Sequence, residues 1–280
     1  MNYQHAYHVG SIADVFKHSV IIQLIRALQK KPTPMCYIET HAGAPLYDLL
    51  GKEAQKTGEY NDGIAKLWNA KAIHHPAIKE YLQVIQSYNK DSGLACYPGS
   101  SIIARHLFRE NDEAVFCELH PTMYEKLRYY FYPDKQSHAH HRDGYEALPG
   151  LLPPKAKRGI VVIDPPYEEK DEYQQVLNVL KKAHERWTQG VYVVWYPIKQ
   201  LDVVREFYHC LKKMNLNDVV VAECWVRQDK MGKRLNGSGM AIINAPWQFD
   251  KLLKGYLPEL AELLGIKQLG KIEIVNLSSK

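Results

Sequence analysis

The stretch Gly159-Ile160-Val161-Val162-Ile163-Asp164-Pro165-Pro166-Tyr167 decides the fold class of this 280-residue chain. Its first five residues form an apolar run without a polar interruption, which is typical of a strand that is covered on both faces in a parallel sheet. Asp164 follows directly, at the carboxyl end of the strand, where open α/β sheets bind their ligands. The stretch therefore predicts an α/β fold with a functional loop beyond a central strand.

The rest of the chain alternates between strand and helix patterns around this strand. Helices are expected after the predicted strands, and the last two strands follow each other without a helix, which predicts an antiparallel hairpin. We expect a doubly wound, mostly parallel α/β sheet with an antiparallel C-terminal hairpin. The predicted strands lie at 35–39, 114–118, before 140–144, and at 159–164, 191–195, 219–226 and 239–244.

The first helix is predicted to begin at Ser11 and to end before Pro32. Ser11 followed three residues later by Asp14 is the pattern of a capping box. Residues 48–93 contain helical patterns but no strand-like run, so we interpret them as a helical subdomain inserted in a single domain that spans 1–280.

Composition limits the class of protein without choosing a function. The chain is 46% hydrophobic and 24% charged, which is typical of a globular protein and excludes a disordered or fibrous one. No apolar run is long enough for a membrane span, and the first residues are polar. Five cysteines without a CxxC pattern indicate reduced thiols, so we expect a cytoplasmic protein. A net charge of +5 permits a nucleic-acid partner without requiring one.

The Asp164-Pro165-Pro166-Tyr167 loop offers a carboxylate, a rigid backbone carbonyl and an aromatic ring. These groups suit a planar base with an exocyclic amine, because the Asp164 carboxylate and the Pro165 carbonyl can accept its two N–H groups. Tyr167 is expected to stack on the base, as aromatic side chains do on flipped bases. Two acceptors also stabilise the positive charge that grows on the nitrogen as it attacks a methyl group.

This signature resembles that of S-adenosylmethionine-dependent amino-methyltransferases, which act on DNA adenine, rRNA or protein glutamine. The whole chain resembles the RlmJ family, which methylates N6 of an adenine in 23S rRNA on a Rossmann-like methyltransferase sheet with a helical insertion. The segments that carry this resemblance are 3–10, 13–18, 40–44, 57–60, 97–100, 118–121, 195–197 and 237–240.

The resemblance implies roles for named residues. The implied binding site for the cofactor S-adenosylmethionine consists of His18, His41, Gly43, Ser100, Glu118, Asp143, Gly144 and Asp164. The implied catalytic residues are Asp164, Pro165 and Tyr167, and the implied rRNA-binding residues are Tyr3, His5, Lys17 and Tyr167. The basic connection 227–234, next to Trp225, is a candidate RNA clamp.

Some features leave alternatives open. Ala44-Pro45 stands where the family commonly repeats a glycine, and Glu39 stands where an aspartate is common, which puts the loop contacts with the donor in doubt. The alternatives are a DNA adenine-N6 methyltransferase, a non-catalytic RNA-binding assembly factor on the same fold, and a protein-glutamine methyltransferase. His5 and His8 lack a cysteine partner at suitable spacing, so no metal site is expected.

Overall fold

The computed structural model describes residues 4–89, 93–227, 235–266 and 270–277. Within these ranges the strands are β1 (Cys36–Glu39), β2 (Leu46–Asp48), β3 (Cys96–Pro98), β4 (Glu113–Cys117), β5 (Ser137–His140), β6 (Gly159–Ile163), β7 (Val191–Ile198), β8 (Val220–Trp225), β9 (Gly237–Ile243) and β10 (Lys271–Asn276). The helices are α1 (Ile12–Gln29), α2 (Lys52–Thr57), α3 (Ile64–Trp68), α4 (Pro76–Ser87), α5 (Ser100–His106), α6 (Pro121–Phe131), α7 (Gly144–Leu151), α8 (Glu172–Arg186), α9 (Leu201–Lys213) and α10 (Phe249–Leu263).

Eight of these strands form one sheet, in the order β10-β8-β9-β7-β6-β1-β4-β5. The neighbours from β7 to β5 are parallel, whereas β9 runs antiparallel to both β7 and β8. The prediction of a mostly parallel α/β sheet with an antiparallel C-terminal hairpin is confirmed. The strand β6 lies near the centre, between β1 and β7, as its apolar run predicted.

Both faces of the sheet are covered, which explains why β6 has no polar position. Ile160 and Val162 pack into the hydrophobic core that also contains residues of α1, α5 and α10. Val161 and Ile163 point the other way, into a second core with residues of α8 and α9. Because side chains alternate along a strand, a strand between two cores is apolar at every position. Because the helices cover the two faces of the sheet, the carboxyl ends of the parallel strands stay open for a site.

The structure adds two features that the sequence patterns did not predict. The short strands β2 and β3 pair antiparallel at the two ends of the 48–93 stretch. At the C-terminus, β10 pairs antiparallel with β8 and extends the sheet. Between β2 and β3 the described residues form α2, α3 and α4. The assignment of 48–93 as a subdomain remains a prediction.

The predicted capping box of α1 is wrong. Ser11 is the N-cap residue, but its side chain makes no capping hydrogen bond. The Asp14 carboxylate instead accepts from the Gly10 N–H at 2.9 Å and lies buried, where it also pairs with Lys17. Asp14 is therefore positioned by its buried partners and not by a capping interaction with the Ser11 backbone. In the described ranges, no helix is both long and apolar enough to cross a membrane.

Candidate active site

A cavity of about 1120 Å³ lies at the carboxyl ends of β1, β4, β6 and β7. Parallel strands present their carboxyl ends at one edge of the sheet, so residues that are distant in sequence meet there. Ten residues predicted for the site line this cavity together: His5, Lys17, His18, His41, Gly43, Ser100, Glu118, Asp164, Pro165 and Tyr167. Tyr3, another predicted site residue, lies outside the described residues.

The loop after β1 is fixed against the end of β4. Gly43 has φ +65°, a left-handed conformation that favours glycine, and its N–H donates to Glu118 Oε2 at 2.7 Å. The other carboxylate oxygen of Glu118 accepts from the His120 N–H at 2.7 Å. Glu118 is therefore held by two backbone amides with its carboxylate at the cavity wall. A side chain at position 43 would also meet the Tyr47 hydroxyl, which lies 2.7 Å from a built Cβ.

Ala44 and Pro45 are integrated into the fold of this loop. The Ala44 N–H donates to the Tyr47 hydroxyl at 3.0 Å, and the Pro45 carbonyl accepts from the Gly99 N–H at 2.8 Å. The Ala44 amide is thus already engaged within the chain. Ala44 and Pro45, which replace the glycine that is common in the family, therefore have a structural role: their hydrogen bonds with Tyr47 and Gly99 support the loop.

Asp143 and Gly144 do not line the cavity; they lie at the start of α7. The Asp143 carboxylate caps this helix by accepting from the Tyr145 and Glu146 N–H groups at 2.7 and 3.3 Å. Gly144 packs so closely on the loop after β1 that a Cβ would lie 2.1 Å from the Thr40 carbonyl oxygen. The side chain of His41 connects this region to the cavity, with its ring edge-on to Tyr145 at 4.8 Å.

Lys17 connects two acidic residues across the cavity. Its Nζ donates to Asp164 Oδ2 at 2.7 Å and lies 3.2 Å from Asp14 Oδ1, and both carboxylates are largely buried. His5 Nε2 lies 2.9 Å from Asp14 Oδ2, which fastens the N-terminal segment over the cavity. Although burial raises the pKa of Asp14, its contacts with His5 and with the Lys17 cation hold the pKa well below its usual range. Asp14 is the centre of this charge network.

The loop that carries Asp164 is held rigidly. Tyr167 has φ +52°, which is strained for a residue with a side chain, and its hydroxyl donates to the Trp195 carbonyl at 2.8 Å. Its ring contacts Tyr173 and Trp195, with centroids 4.7 and 5.9 Å away. The ring thus forms part of the cavity wall and is mostly covered by neighbouring aromatic side chains, with 9% of Tyr167 exposed.

Glu172 supports the same loop from behind. One oxygen of this buried carboxylate accepts from the Glu168 N–H at 3.1 Å, and the other accepts from the Tyr145 hydroxyl at 2.9 Å. Tyr173 adds a bond from its hydroxyl to the Pro197 carbonyl at 2.6 Å. The loop is therefore bound to both α7 and β7, which fixes the position of Asp164.

Burial keeps two histidines of the site neutral. It lowers the pKa of His18 to about 3, with a further decrease from the Lys17 cation, and it lowers the pKa of His41 to about 4. His18 Nδ1 is 2.7 Å from the Tyr97 hydroxyl, so the ring is oriented within the core. Neutral imidazoles suit a site for a polar neutral ligand or a cation rather than for a bare phosphate.

Glu39, at the end of β1, is completely buried beneath the cavity. Within the described part of the chain, neither of its carboxylate oxygens has a hydrogen-bond partner. Burial, together with the nearby charges of Asp164 and Glu118, raises the pKa of Glu39 to about 8. The acid is therefore protonated at neutral pH.

The cavity continues toward a basic surface at Lys199 and Arg227. Of the predicted RNA clamp at 227–234, residues 228–234 lie outside the described residues. Trp225 does not serve as its stacking platform: the side chain is buried, and its Nε1 donates to Glu223 at 2.9 Å. The sequence predicted that Trp225 is available for stacking, whereas the structure buries it.

Several residues that sequence reasoning did not assign to the site line the cavity, and two of them, Asp14 and Trp195, contact Lys17. Asp14 was interpreted as a capping acid, and only its burial identifies it as a site residue. Trp195 lies on β7 with the Lys17 ammonium 5.8 Å from its ring centroid, a cation–π distance. Among the described residues, no group of three or more His, Cys, Asp or Glu is arranged to hold a metal ion.

The chain is similar to known proteins over nearly its whole length. A family model described as "Ribosomal RNA large subunit methyltransferase D, RlmJ" matches residues 32–276. Two proteins called ribosomal RNA large subunit methyltransferase J are similar to it. The one from Escherichia coli is 37% identical, with 93% of this chain and 92% of that protein aligned. The one from Haemophilus influenzae is 35% identical, with 94% of each chain aligned.

A solved structure has the same fold. Protein LPL1258 from Legionella pneumophila superimposes with a TM-score of 0.89 at 33% identity, covering 96% of this chain and 98% of that one. The family match and the two relatives confirm the resemblance that the sequence motifs indicated. The chain belongs to the RlmJ family of ribosomal RNA large subunit methyltransferases.

Proposed function

We propose that this protein transfers a methyl group from S-adenosylmethionine to the exocyclic N6 of an adenine in 23S rRNA. The observation that carries this proposal is a single cavity in which the rigid Asp164-Pro165 loop faces the loop after β1 and Glu118. An amine-binding loop and a nucleoside-binding acid in one cavity are what a methyl transfer between two adenosine-containing molecules needs.

The residues of the donor side fit an adenosyl group with a charged methionine tail. The Glu118 carboxylate is fixed by hydrogen bonds from two backbone N–H groups, and each of its oxygens retains a lone pair that can accept from a ribose hydroxyl. Gly43 lets the backbone approach closely, while His18, His41 and Ser100 supply polar atoms around the tail. Bound S-adenosylmethionine supplies a methyl group activated by a positive sulfonium.

The acceptor side orients the adenine amine. Lys17 binds Asp164 Oδ2, so we assign Oδ1 and the Pro165 carbonyl as the acceptors of the two N6–H groups. These acceptors stabilise the charge that develops on N6 during attack and align the nitrogen with the methyl group. After transfer, the proton leaves N6 to Asp164 or to water. Tyr167 and Trp195 supply the aromatic wall for the base.

The rest of the cavity serves the RNA backbone. Lys199 and Arg227 lie at its far end, where a polyanion can reach them. Lys17 and His5 complete the acceptor side, beneath the N-terminal segment. The relatives are ribosomal RNA large subunit methyltransferases, which supports rRNA as the substrate, and we propose that the reaction takes place in the cytoplasm.

Mass mapping of rRNA from cells lacking the protein tests the proposal. We expect one adenine to lose its N6-methyl mark and to regain it on complementation with the wild type but not with Asp164→Ala. Purified protein is then offered unmodified 23S rRNA and duplex DNA in competition, with labelled donor. Label in DNA alone would identify the DNA methyltransferase alternative, and the absence of donor binding in calorimetry would identify the non-catalytic one.

A further inference from the structure

One outer face of α6 is unusually aromatic for a surface helix. Leu127 and Phe131 turn inward and are buried, whereas Tyr129 and Tyr132 are 86% and 82% exposed. Full exposure of two large aromatic rings this close together costs hydration free energy, and such patches mark binding sites. Arg128 directly precedes Tyr129 in the sequence and is also exposed, and a cleft of about 450 Å³ opens beside these three side chains.

The helix α6 begins at the active site. Met123, on the first turn of α6, lines the cavity. One residue further, Tyr124 stacks on His141 with ring centroids 4.8 Å apart and planes within 12°. At a rise of 1.5 Å per residue, Tyr132 lies about 14 Å beyond Met123 along the helix direction. A rotation of about 100° per residue also places Tyr132 on the opposite side of the helix axis from Met123, so an RNA strand that leaves the cavity at Met123 has to pass around α6 to reach the exposed tyrosines.

The charge of this face favours a polyanion. The segment 121–142 contains four basic residues and two acidic ones, and one of the acids, Asp134, is paired with Arg105 instead. The other, Glu125, pairs with Arg128 at 2.8 Å while both side chains are more than half exposed. Exposed pairs contribute little free energy, so a phosphate can replace Glu125 at small cost.

We propose that the α6 face, defined as Tyr124, Arg128, Tyr129, Tyr132 and His141, binds unpaired nucleotides of the rRNA substrate that flank the target adenine. Exposed aromatic rings interleaved with cations are the surface on which single-stranded nucleic acids stack. The proposal rests on the proposed function, because it names a second surface for the same RNA. The excess of basic residues in 121–142 and the start of α6 at the cavity favour RNA over a protein as the occupant.

Binding of a labelled rRNA fragment that contains the methylated site tests this proposal by fluorescence anisotropy. The double variant Tyr129→Ala/Tyr132→Ala is compared with Trp247→Ala, a matched control because Trp247 is also 86% exposed but precedes α10. We expect the double variant to weaken RNA binding at least tenfold and to raise KM for rRNA. The value of kcat at saturating RNA, donor affinity and Tm stay unchanged, and the control behaves as the wild type.

Arg128→Gln supplies an independent measurement. Loss of one phosphate contact on a single strand lowers the slope of log K against log salt concentration by about 0.7. Unchanged RNA affinity of the double variant, or an equal loss in the Trp247→Ala control, would overturn the proposal. Failure of the proposed function is distinguished by the wild type itself, which would then bind the fragment without methylating it.

Discussion

Replacement of Glu39 by glutamine is expected to stabilise the protein at pH 8 and to have a much smaller effect, less than about 1 kcal/mol, at pH 5. Glu39 is fully buried, and its pKa is raised to about 8 from a usual value of 4.5. Between pH 4.5 and about pH 8 the folded protein holds a proton on Glu39 that the unfolded chain releases. Its stabilising contribution is therefore fully present below pH 4.5 and is lost as the pH rises through 8.

The magnitude follows from this difference in pKa. Each pKa unit corresponds to about 1.36 kcal/mol, so the carboxylate lowers the free energy of unfolding by roughly 3 kcal/mol at pH 7 and somewhat more at pH 8. Glutamine keeps the size of the side chain and removes the titration. We expect Glu39→Gln to gain roughly 2–4 kcal/mol over the wild type at pH 8.

The buried histidines set the other side of the pH profile. His18 and His41 have pKa values lowered to about 3 and about 4, so the unfolded chain binds more protons than the folded protein below pH 6.5. Their contribution to stability is present above pH 6.5 and is lost as the pH falls toward 4. The free energy of unfolding of the wild type is therefore expected to be highest near pH 6.5 and to fall above that pH. In Glu39→Gln it should not fall between pH 6.5 and 8.

Urea unfolding at pH 5, 6.5 and 8, followed by tryptophan fluorescence, measures these differences. Glu113→Gln is the matched control, because Glu113 is an exposed acid on the neighbouring strand β4 and its replacement should change stability by less than about 0.5 kcal/mol. A difference between Glu39→Gln and the wild type that is the same at all three pH values would refute the buried-acid reasoning.

Three further changes test the site. Lys17→Met removes the cation between two buried carboxylates and should lower the free energy of unfolding by roughly 3 kcal/mol in urea melts; an unchanged midpoint would contradict the charge network. Glu172→Gln weakens the bonds that support the catalytic loop and should lower kcat about tenfold with donor affinity unchanged, whereas a loss of donor binding in calorimetry would contradict this role. Gly43→Ala should weaken donor binding and destabilise the protein by at least about 1 kcal/mol, because residue 43 has a left-handed φ of +65° and the new methyl group would meet the Tyr47 hydroxyl; unchanged donor binding in calorimetry and an unchanged urea midpoint would contradict this.

The sheet could be predicted because its signals are local. The apolar run of β6 and the loop after it place the centre of the fold and the site edge without any tertiary information. The strands β2 and β3 were missed since three residues each give too short an alternation, and they form only because they pair with each other. For β10 the exposed edge position weakens the pattern, as Ile272 and Ile274 are its main apolar residues.

Ten of the predicted site residues line one cavity, but the pairings within it could not be predicted. The position of Asp164 after an apolar strand predicted this residue, and the family resemblance implied Glu118, whereas the hydrogen bond between Lys17 and Asp164 joins residues 147 positions apart. Asp14 was predicted wrongly for the same reason. Its spacing from Ser11 matches a helix-capping pattern, but in the structure it is a buried ion-pair partner of Lys17. A pattern within one helix carries no information about the residues that pack against it.

The central claim is that Asp164 holds the adenine amine for methyl transfer. Single-turnover methylation of 23S rRNA by Asp164→Asn, measured together with calorimetry of S-adenosylmethionine binding, tests it most directly. The account predicts that transfer falls at least a hundredfold, because an amide offers one acceptor oxygen and no charge, while the variant stays folded and binds rRNA. Transfer at a rate near that of the wild type would contradict it.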